Sequence, residues 1–265
     1  MNNSNPKLYD PLIHKLKLLE EDDVDSLLDE LRTPKKPMIL GFLNQHGYNI
    51  AHNNPAVRRN FMQMNYLLRD GIGVKLACSL NGLQPKANLN GSDFIPRLID
   101  HLLSDSNSDN YQLFAMGTQE PWLSEGARTL FGGKPFHAID GFQPTQDYID
   151  FIRQHRRLGK TPIIVMAMGM PRQEEIAALL QRELQCPALM ICGGAILDFS
   201  AQRFSRAPEA VRKLGMEWLF RLAMEPRRLF KRYIVGIPQF FYYVARNGLN
   251  STVRVSEQRA YDRKS

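Results

Sequence analysis

The stretch Tyr66-Leu67-Leu68-Arg69-Asp70-Gly71-Ile72-Gly73-Val74 sets a carboxylate and two glycines directly after an apolar run, the order expected where a strand turns into a helix. Gly71 and Gly73 let the backbone turn tightly and approach a ligand, which places Asp70 at the carboxyl edge of an α/β sheet, where such folds bind substrates. A carboxylate in that position is a candidate general base. It could equally do no more than cap the following helix, and residue types alone leave both roles open.

Other polar and glycine-containing loops follow apolar runs in the same way. They are Asn44 and His46, Gly117-Thr118, Gly169-Met170-Pro171-Arg172-Gln173-Glu174, and Gly193-Gly194 through Asp198. Helix N-termini and glycines present backbone N–H groups to phosphate, and Gln173 and Asp198 could hydrogen-bond a base or ribose. Five such loops on one rim favour a nucleotide-like ligand. Several chemistries find no support: there is no Walker A sequence, no G-x-G-x-x-G, no G-x-S-x-G and no H-x-x-x-H spacing. Asp23-Val24-Asp25 spells a metal-binding D-x-D, but it lies in an acidic helix start rather than after a buried strand, so no metal is expected.

The elements that would position these residues alternate regularly. Apolar strands are expected at 38–43, 111–116, 136–139, 162–166 and 188–192, separated by amphipathic helices. One helix begins at Asn53-Asn54-Pro55 and runs through Val57, Phe61, Met64 and about Leu67. Another starts at Gly91-Ser92-Asp93 with Ser92 or Asp93 as cap and Pro96 in its first turn, and a third spans 145–158. Strands that are apolar throughout imply a parallel sheet covered on both faces. The fold class is therefore α/β, a Rossmann-like parallel sheet with helices on both faces, followed by a basic helical C-terminal appendage expected to associate with a membrane.

That last expectation comes from charge. Residues 203–265 hold 14 Lys/Arg against 5 Asp/Glu, a net +9, while the remaining 20 and 22 give −2. A near-neutral body with a basic, aromatic-rich end points to an anionic surface, and an interfacial helix fits lipid headgroups; no nucleic-acid motif accompanies the charge. Three unpatterned cysteines among 265 residues suit a reducing compartment. No signal peptide and no membrane-spanning segment are expected.

The residues also resemble a known family, the WecG/TagA/CpsF glycosyltransferases, or glycosyltransferase family 26. The match runs from about Met38 to Gly248. It includes Asp70-Gly71-Ile72-Gly73-Val74, Gly91-Ser92-Asp93, Gly169-Met170-Pro171-Arg172-Gln173-Glu174 and Gly193-Gly194-Ala195-Ile196-Leu197-Asp198-Phe199. It continues through Arg206-Ala207-Pro208, Glu217-Trp218-Leu219-Phe220-Arg221-Leu222, Glu225-Pro226-Arg227-Arg228 and Lys231-Arg232-Tyr233. The resemblance implies a metal-independent, inverting transfer from a UDP-sugar donor to a sugar on a polyprenyl-diphosphate-linked acceptor, peripheral on the cytoplasmic face of the cell membrane. Asp70 would be the base. Asn44, Asp93, Gly117, Gly169, Gln173, Glu174, Gly193, Gly194, Asp198 and Arg206 would form the substrate site, with Arg221, Arg228 and Lys231 closing over the diphosphates.

On this reading residues 1–36 are a peripheral helical segment, 37–200 the catalytic core, 201–248 the appendage and 249–265 a flexible tail. The site is expected to be complete only once the appendage docks. No cofactor is implied, and self-association is possible. Two positions depart from many members: Phe42 stands where they carry threonine, and Asn88 where they carry arginine. These departures favour glucose as the transferred sugar, in exopolysaccharide or cell-surface glycan synthesis. The alternative is N-acetylmannosamine or its uronic acid. A remoter alternative is a non-catalytic nucleotide-binding module.

Overall fold

The computed structural model describes residues 9–104 and 108–262. In chain order its elements are α1 (Pro11–His14), α2 (Val24–Arg32), β1 (Pro37–Leu43), α3 (Gln45–Asn53), α4 (Pro55–Gln63), β2 (Tyr66–Arg69), α5 (Ile72–Leu80) and α6 (Gly91–Leu103). There follow β3 (Tyr111–Gly117), α7 (Trp122–Leu130), β4 (Phe136–Ile139), α8 (Thr145–His155), β5 (Thr161–Ala167), α9 (Arg172–Glu183), β6 (Ala188–Cys192) and α10 (Ile196–Ser200). The appendage consists of α11 (Glu209–Lys213), α12 (Glu217–Met224), α13 (Pro226–Phe230), a π-helical turn (Lys231–Val235) and α14 (Gly236–Asp262). Of the sequence-stretches expected to be loop or tail, residues 105–107 and 263–265 lie outside the described residues, and α14 continues past Asn247.

All six strands are parallel, in the order β2-β1-β6-β5-β3-β4. Because successive strand side chains point to opposite faces, each strand feeds two cores. Ile39 and Leu43 of β1 join one, with Tyr48, Phe61, Ile152, Ile176 and Phe240. Met38, Leu40 and Phe42 join the other, with Leu28, Phe94, Leu123 and Leu197. Helices α1, α3, α4, α5, α8, α9 and α14 thus cover the first face, and α2, α6, α7 and α10 the second. The chain is a Rossmann-like three-layer α/β protein, and no helix among the described residues is long and apolar enough to cross a membrane.

The structure differs from expectation at several element ends, each for a local reason. Helix α4 stops at Gln63, so that Tyr66–Arg69 is a strand, paired in register with β1 from Leu40↔Tyr66 to Leu43↔Arg69. Helix α6 is capped by Asn90, whose side chain accepts from the Asp93 N–H, and not by Ser92 or Asp93; Pro96 lies inside it. Helix α8 ends at His155, where Arg156 turns extended. Helix α3, which the sequence did not announce, is rich in residues of poor helix propensity, and its support is tertiary. Asn44 caps it by accepting from the His46 and Gly47 N–H groups, and Gly47 packs closely under Met170 and Phe61, where a Cβ would lie 2.8 Å from the Met170 sulfur and 3.2 Å from the Phe61 ring, so that a side chain there would displace the methionine.

Candidate active site

The carboxyl ends of the strands form one rim, and Asp70 stands on it immediately after β2. Its N–H donates to the Leu43 carbonyl at 3.0 Å, which holds it beside the end of β1. The preceding Arg69 is buried and donates to the Pro85, Lys86 and Gly71 carbonyls at 3.0, 3.1 and 3.4 Å, fixing the corner from below. Gly71, with φ 86°, is the N-cap residue of α5, and the helix has no side-chain cap. The capping role open to Asp70 in the sequence is therefore not the one it takes, and its carboxylate is free to face the rim.

Asn44 Nδ2 donates to Asp70 Oδ2 at 3.4 Å. Burial raises the Asp70 pKa, while Arg221, the Asn44 bond and Arg232 pull it back down and Glu217 adds to the rise. A carboxylate whose basicity is raised by burial, and which has cations close by, suits proton abstraction from a hydroxyl. His46 lies in the first turn of α3, close to Arg232, and burial together with that charge pushes its pKa down to about 4, so the ring is neutral.

The appendage supplies the cations. Arg221 of α12 donates to Glu217 Oε1 at 2.7 Å and stacks 4.6 Å from the Phe199 ring. Arg228 makes a bidentate pair with Glu225 at 2.6 and 2.8 Å and lies within electrostatic range of Asp198. Lys231 is exposed, whereas its neighbour Arg232 is half-buried, near Asp70, Arg221 and Arg228, and has a buried Nε without a hydrogen-bond partner. Arg232 is the site cation that sequence reasoning missed. It sits in the same Lys231-Arg232-Tyr233 motif, but only the turn from α13 into the π-helical segment decides which of the two basic neighbours faces inward.

On the other half of the rim, Thr118 Oγ1 donates to Asp198 Oδ1 at 2.7 Å, and Arg203 donates to the same oxygen at 2.9 Å and to Thr118 Oγ1 at 3.1 Å. The Arg203 guanidinium lies 3.9 Å from the Trp122 ring. Asp198 Oδ2 makes no hydrogen bond among the described residues and can accept from a ligand hydroxyl. Gly117 has φ 145°, and a Cβ there would lie 2.2 Å from the Ala167 carbonyl oxygen, so only glycine lets β3 and β5 end side by side. This is the switch point of the sheet, where β3 leads out to β4 and β5 leads back to β6. Gly169, with φ 78°, has open space where a side chain would stand.

Gln173 and Glu174 are placed differently from the ligand contacts that the sequence suggests. Both are wholly buried. Gln173 Oε1 accepts from the Gly194 N–H at 2.9 Å while its Nε2 donates to Glu174 Oε1 at 2.8 Å. They brace the Gly193-Gly194 loop from beneath, and burial raises the Glu174 pKa to about 7. Asp93 is engaged with Arg206 at 2.8 Å and Arg212 at 3.3 Å. Although burial opposes it, the Asn90 bond and the two arginines hold the Asp93 pKa below its ordinary value. This pair ties residues 206–212 to the start of α6, and neither partner is shown beside Asp70.

The appendage is itself docked. Phe240 is fully buried against α3 and α5, Asn49 Nδ2 donates to the Gly236 carbonyl at 2.7 Å, and Asn247 Nδ2 donates to the Tyr48 hydroxyl at 2.8 Å, which in turn donates to Asp10. A cavity of about 500 Å³ opens at the opposite, amino-terminal edge of β3 and β4, beside Tyr111, Lys134, Phe136 and Lys160, away from the rim.

Comparison with known proteins agrees with this architecture. The chain is 28% identical over 203 residues, 75% of its own length and 76% of the relative's, to an N-acetylglucosaminyldiphosphoundecaprenol N-acetyl-beta-D-mannosaminyltransferase of Staphylococcus aureus (strain MW2). It is 27% identical over the same span to the protein of that name from Staphylococcus aureus (strain NCTC 8325 / PS 47). The sequence profile of the Glycosyl transferase WecG/TagA/CpsF family matches residues 11–254, the core and appendage together. The chain belongs to that family and is a glycosyltransferase.

Proposed function

We propose that this glycosyltransferase moves N-acetylmannosamine from a UDP-linked donor to an N-acetylglucosaminyl-diphospho-polyprenol acceptor at a membrane surface. The observation that carries the reading is the convergence of Asp70 from the core with Arg221 and Arg232 from the appendage. The acceptor hydroxyl would lose its proton to Asp70 as its oxygen attacks the anomeric carbon. The bond from that carbon to the UDP oxygen breaks, and UDP departs with the electron pair. Arg221 and Arg232 stabilise the negative charge that grows on the leaving diphosphate. A single displacement inverts the anomeric configuration. Asp198 Oδ2 and the Gly117, Gly169 and Gly194 loops across the rim are the donor-side groups in this scheme, and Gln173 with Glu174 supports them.

The choice of sugar follows the two staphylococcal relatives, whose names specify the N-acetylmannosaminyl group. It replaces the glucose expected from the two departures in sequence. Phe42 is buried, packed edge-on against Phe94 and against Gly91, so its identity answers to the core and says nothing about the sugar. The basic appendage and the lipid part of the acceptor together favour work on the inner face of the cell membrane, and self-association is compatible with it. The test is transfer with UDP-N-acetylmannosamine and with UDP-glucose, each supplied with the lipid acceptor and no divalent metal. Product from the first donor alone is expected; product from UDP-glucose alone, or from neither donor, overturns the reading.

A further inference from the structure

A helix at a protein surface ordinarily turns polar residues to solvent. Helix α5 does not. Val74, Ala77 and Cys78 are buried beneath it, yet Ile72, Leu76 and Leu80 on its outer side are 42, 47 and 49% exposed. Spaced four residues apart, they form one stripe about 12 Å long. The other exposed positions of the helix are Lys75 and Ser79, so its outer face carries one positive charge and no acid. The appendage extends the stripe: a Cβ on Gly215 would lie 3.2 Å from Ile72 Cδ1, so that the loop bearing the exposed Leu214 and Met216 abuts the first of the three residues. The stripe begins two residues after Asp70.

We propose that α5 is a lipid-contacting helix of the catalytic core. Its Ile72, Leu76 and Leu80 side chains, with Leu214 and Met216, enter the headgroup boundary of an anionic bilayer and hold Asp70 at the depth of a lipid-linked diphosphate. A contiguous apolar strip whose single charge is a lysine complements anionic headgroups over an acyl layer. A second copy of the chain fits less well, because three aliphatic side chains and two from a loop fall short of the roughly 800 Å² per partner of a stable interface, and the strip offers no acid to meet Lys75 of its mate. The bilayer contact stands on α5 alone. Its consequence for catalysis rests on the proposed lipid-linked acceptor.

The experiment uses the full chain and vesicles of phosphatidylglycerol and phosphatidylcholine. Sedimentation with vesicles is compared for wild type, Leu76→Glu, Leu80→Glu and the control Leu158→Glu, a leucine 92% exposed in the loop after α8. Transfer is then measured to a long-chain acceptor in the vesicles and to a water-soluble short-chain analogue. Leu76→Glu and Leu80→Glu are expected to lower vesicle binding and long-chain transfer at least tenfold, while short-chain transfer stays within twofold; Leu158→Glu should behave as wild type. Vesicle binding unchanged in the α5 variants overturns the inference. So does equal loss on both acceptors, or a shift in oligomeric state with vesicle binding intact. A wild type that binds vesicles but transfers to neither acceptor defeats the proposed function and leaves the binding arm to decide on α5.

Discussion

Glu174 makes the buried brace under the Gly193-Gly194 loop measurable as a pH effect on stability. Its side chain is fully buried, Oε1 accepts from Gln173 Nε2 at 2.8 Å, and Oε2 has no partner. Burial raises its pKa from 4.5 to about 7. The folded state therefore holds a proton that the unfolded state gives up, so stability falls as pH rises from about 4.5 to about 7 and levels off above that. A shift of that size corresponds to about 3 kcal/mol in total, of which about 2 kcal/mol is lost between about pH 5.5 and 8.5. Glu174→Gln replaces the protonated acid with a neutral group of the same shape, and its amide oxygen can take the same bond from Gln173. The assay is urea unfolding of both proteins at several pH values. The variant should exceed wild type by about 1 kcal/mol near pH 5.5 and by about 3 kcal/mol near pH 8.5, so that the difference widens by about 2 kcal/mol across the window. Other titratable groups are common to both proteins and cancel in the difference. Parallel pH profiles for the two proteins would refute the assignment of a proton to Glu174.

The reacting half of the rim is tested by two substitutions. Asp70→Asn should keep its unfolding midpoint and lose roughly 100-fold or more in kcat, as expected for removal of a general base; retained turnover in a steady-state assay would take Asp70 out of the mechanism. Arg232→Ala should lose roughly 100-fold in kcat through the missing charge on the departing diphosphate, and Lys231→Ala no more than a few-fold, because only the former is half-buried near Asp70. The reverse ranking of the two alanine variants would show that the turn after α13 faces its cations the other way.

The features legible in the sequence were those set by short-range patterns. Apolar runs located β3, β5 and β6 to within a residue, because strands buried on both faces tolerate little else, and the partly buried edge strand β4 was found by the same pattern. The strand-end loops were found by their glycines, and Gly117 shows why: the close approach of Ala167 leaves no room for a side chain. What stayed hidden depends on contacts distant in the chain. Helix α3 has weak intrinsic propensity and exists because Tyr48, Asn49 and Ala51 are buried, Tyr48 against α14. Gln173 and Glu174 carry the polarity of ligand contacts, and only the tertiary structure reveals that Gln173 is already spent on the Gly194 N–H and on Glu174 Oε1, beneath the loop. Arg232 could not be ranked above Lys231 until a tertiary frame fixed the phase of the turn that carries them.

Helix α3 also changes how the two halves of the site are joined. The sequence suggested a core whose site would be completed by a separately docking tail. In the structure one short helix holds both. At its N-terminus Asn44 caps the helix and donates to Asp70, and His46 lies near Arg232. One turn further along, Asn49 grips the carbonyl of Gly236, four residues beyond Arg232, and at its far end His52 stacks 3.7 Å from Tyr243 of α14. Gly73, directly after the Asp70 corner, packs beside Gln45 and Phe240, so α3, α5 and α14 meet at the point where base and cations converge. The position of Arg232 relative to Asp70 is thus set by contacts inside the core, and docking of the appendage belongs to the fold itself. A membrane would then add depth and orientation to a site whose geometry is already in place.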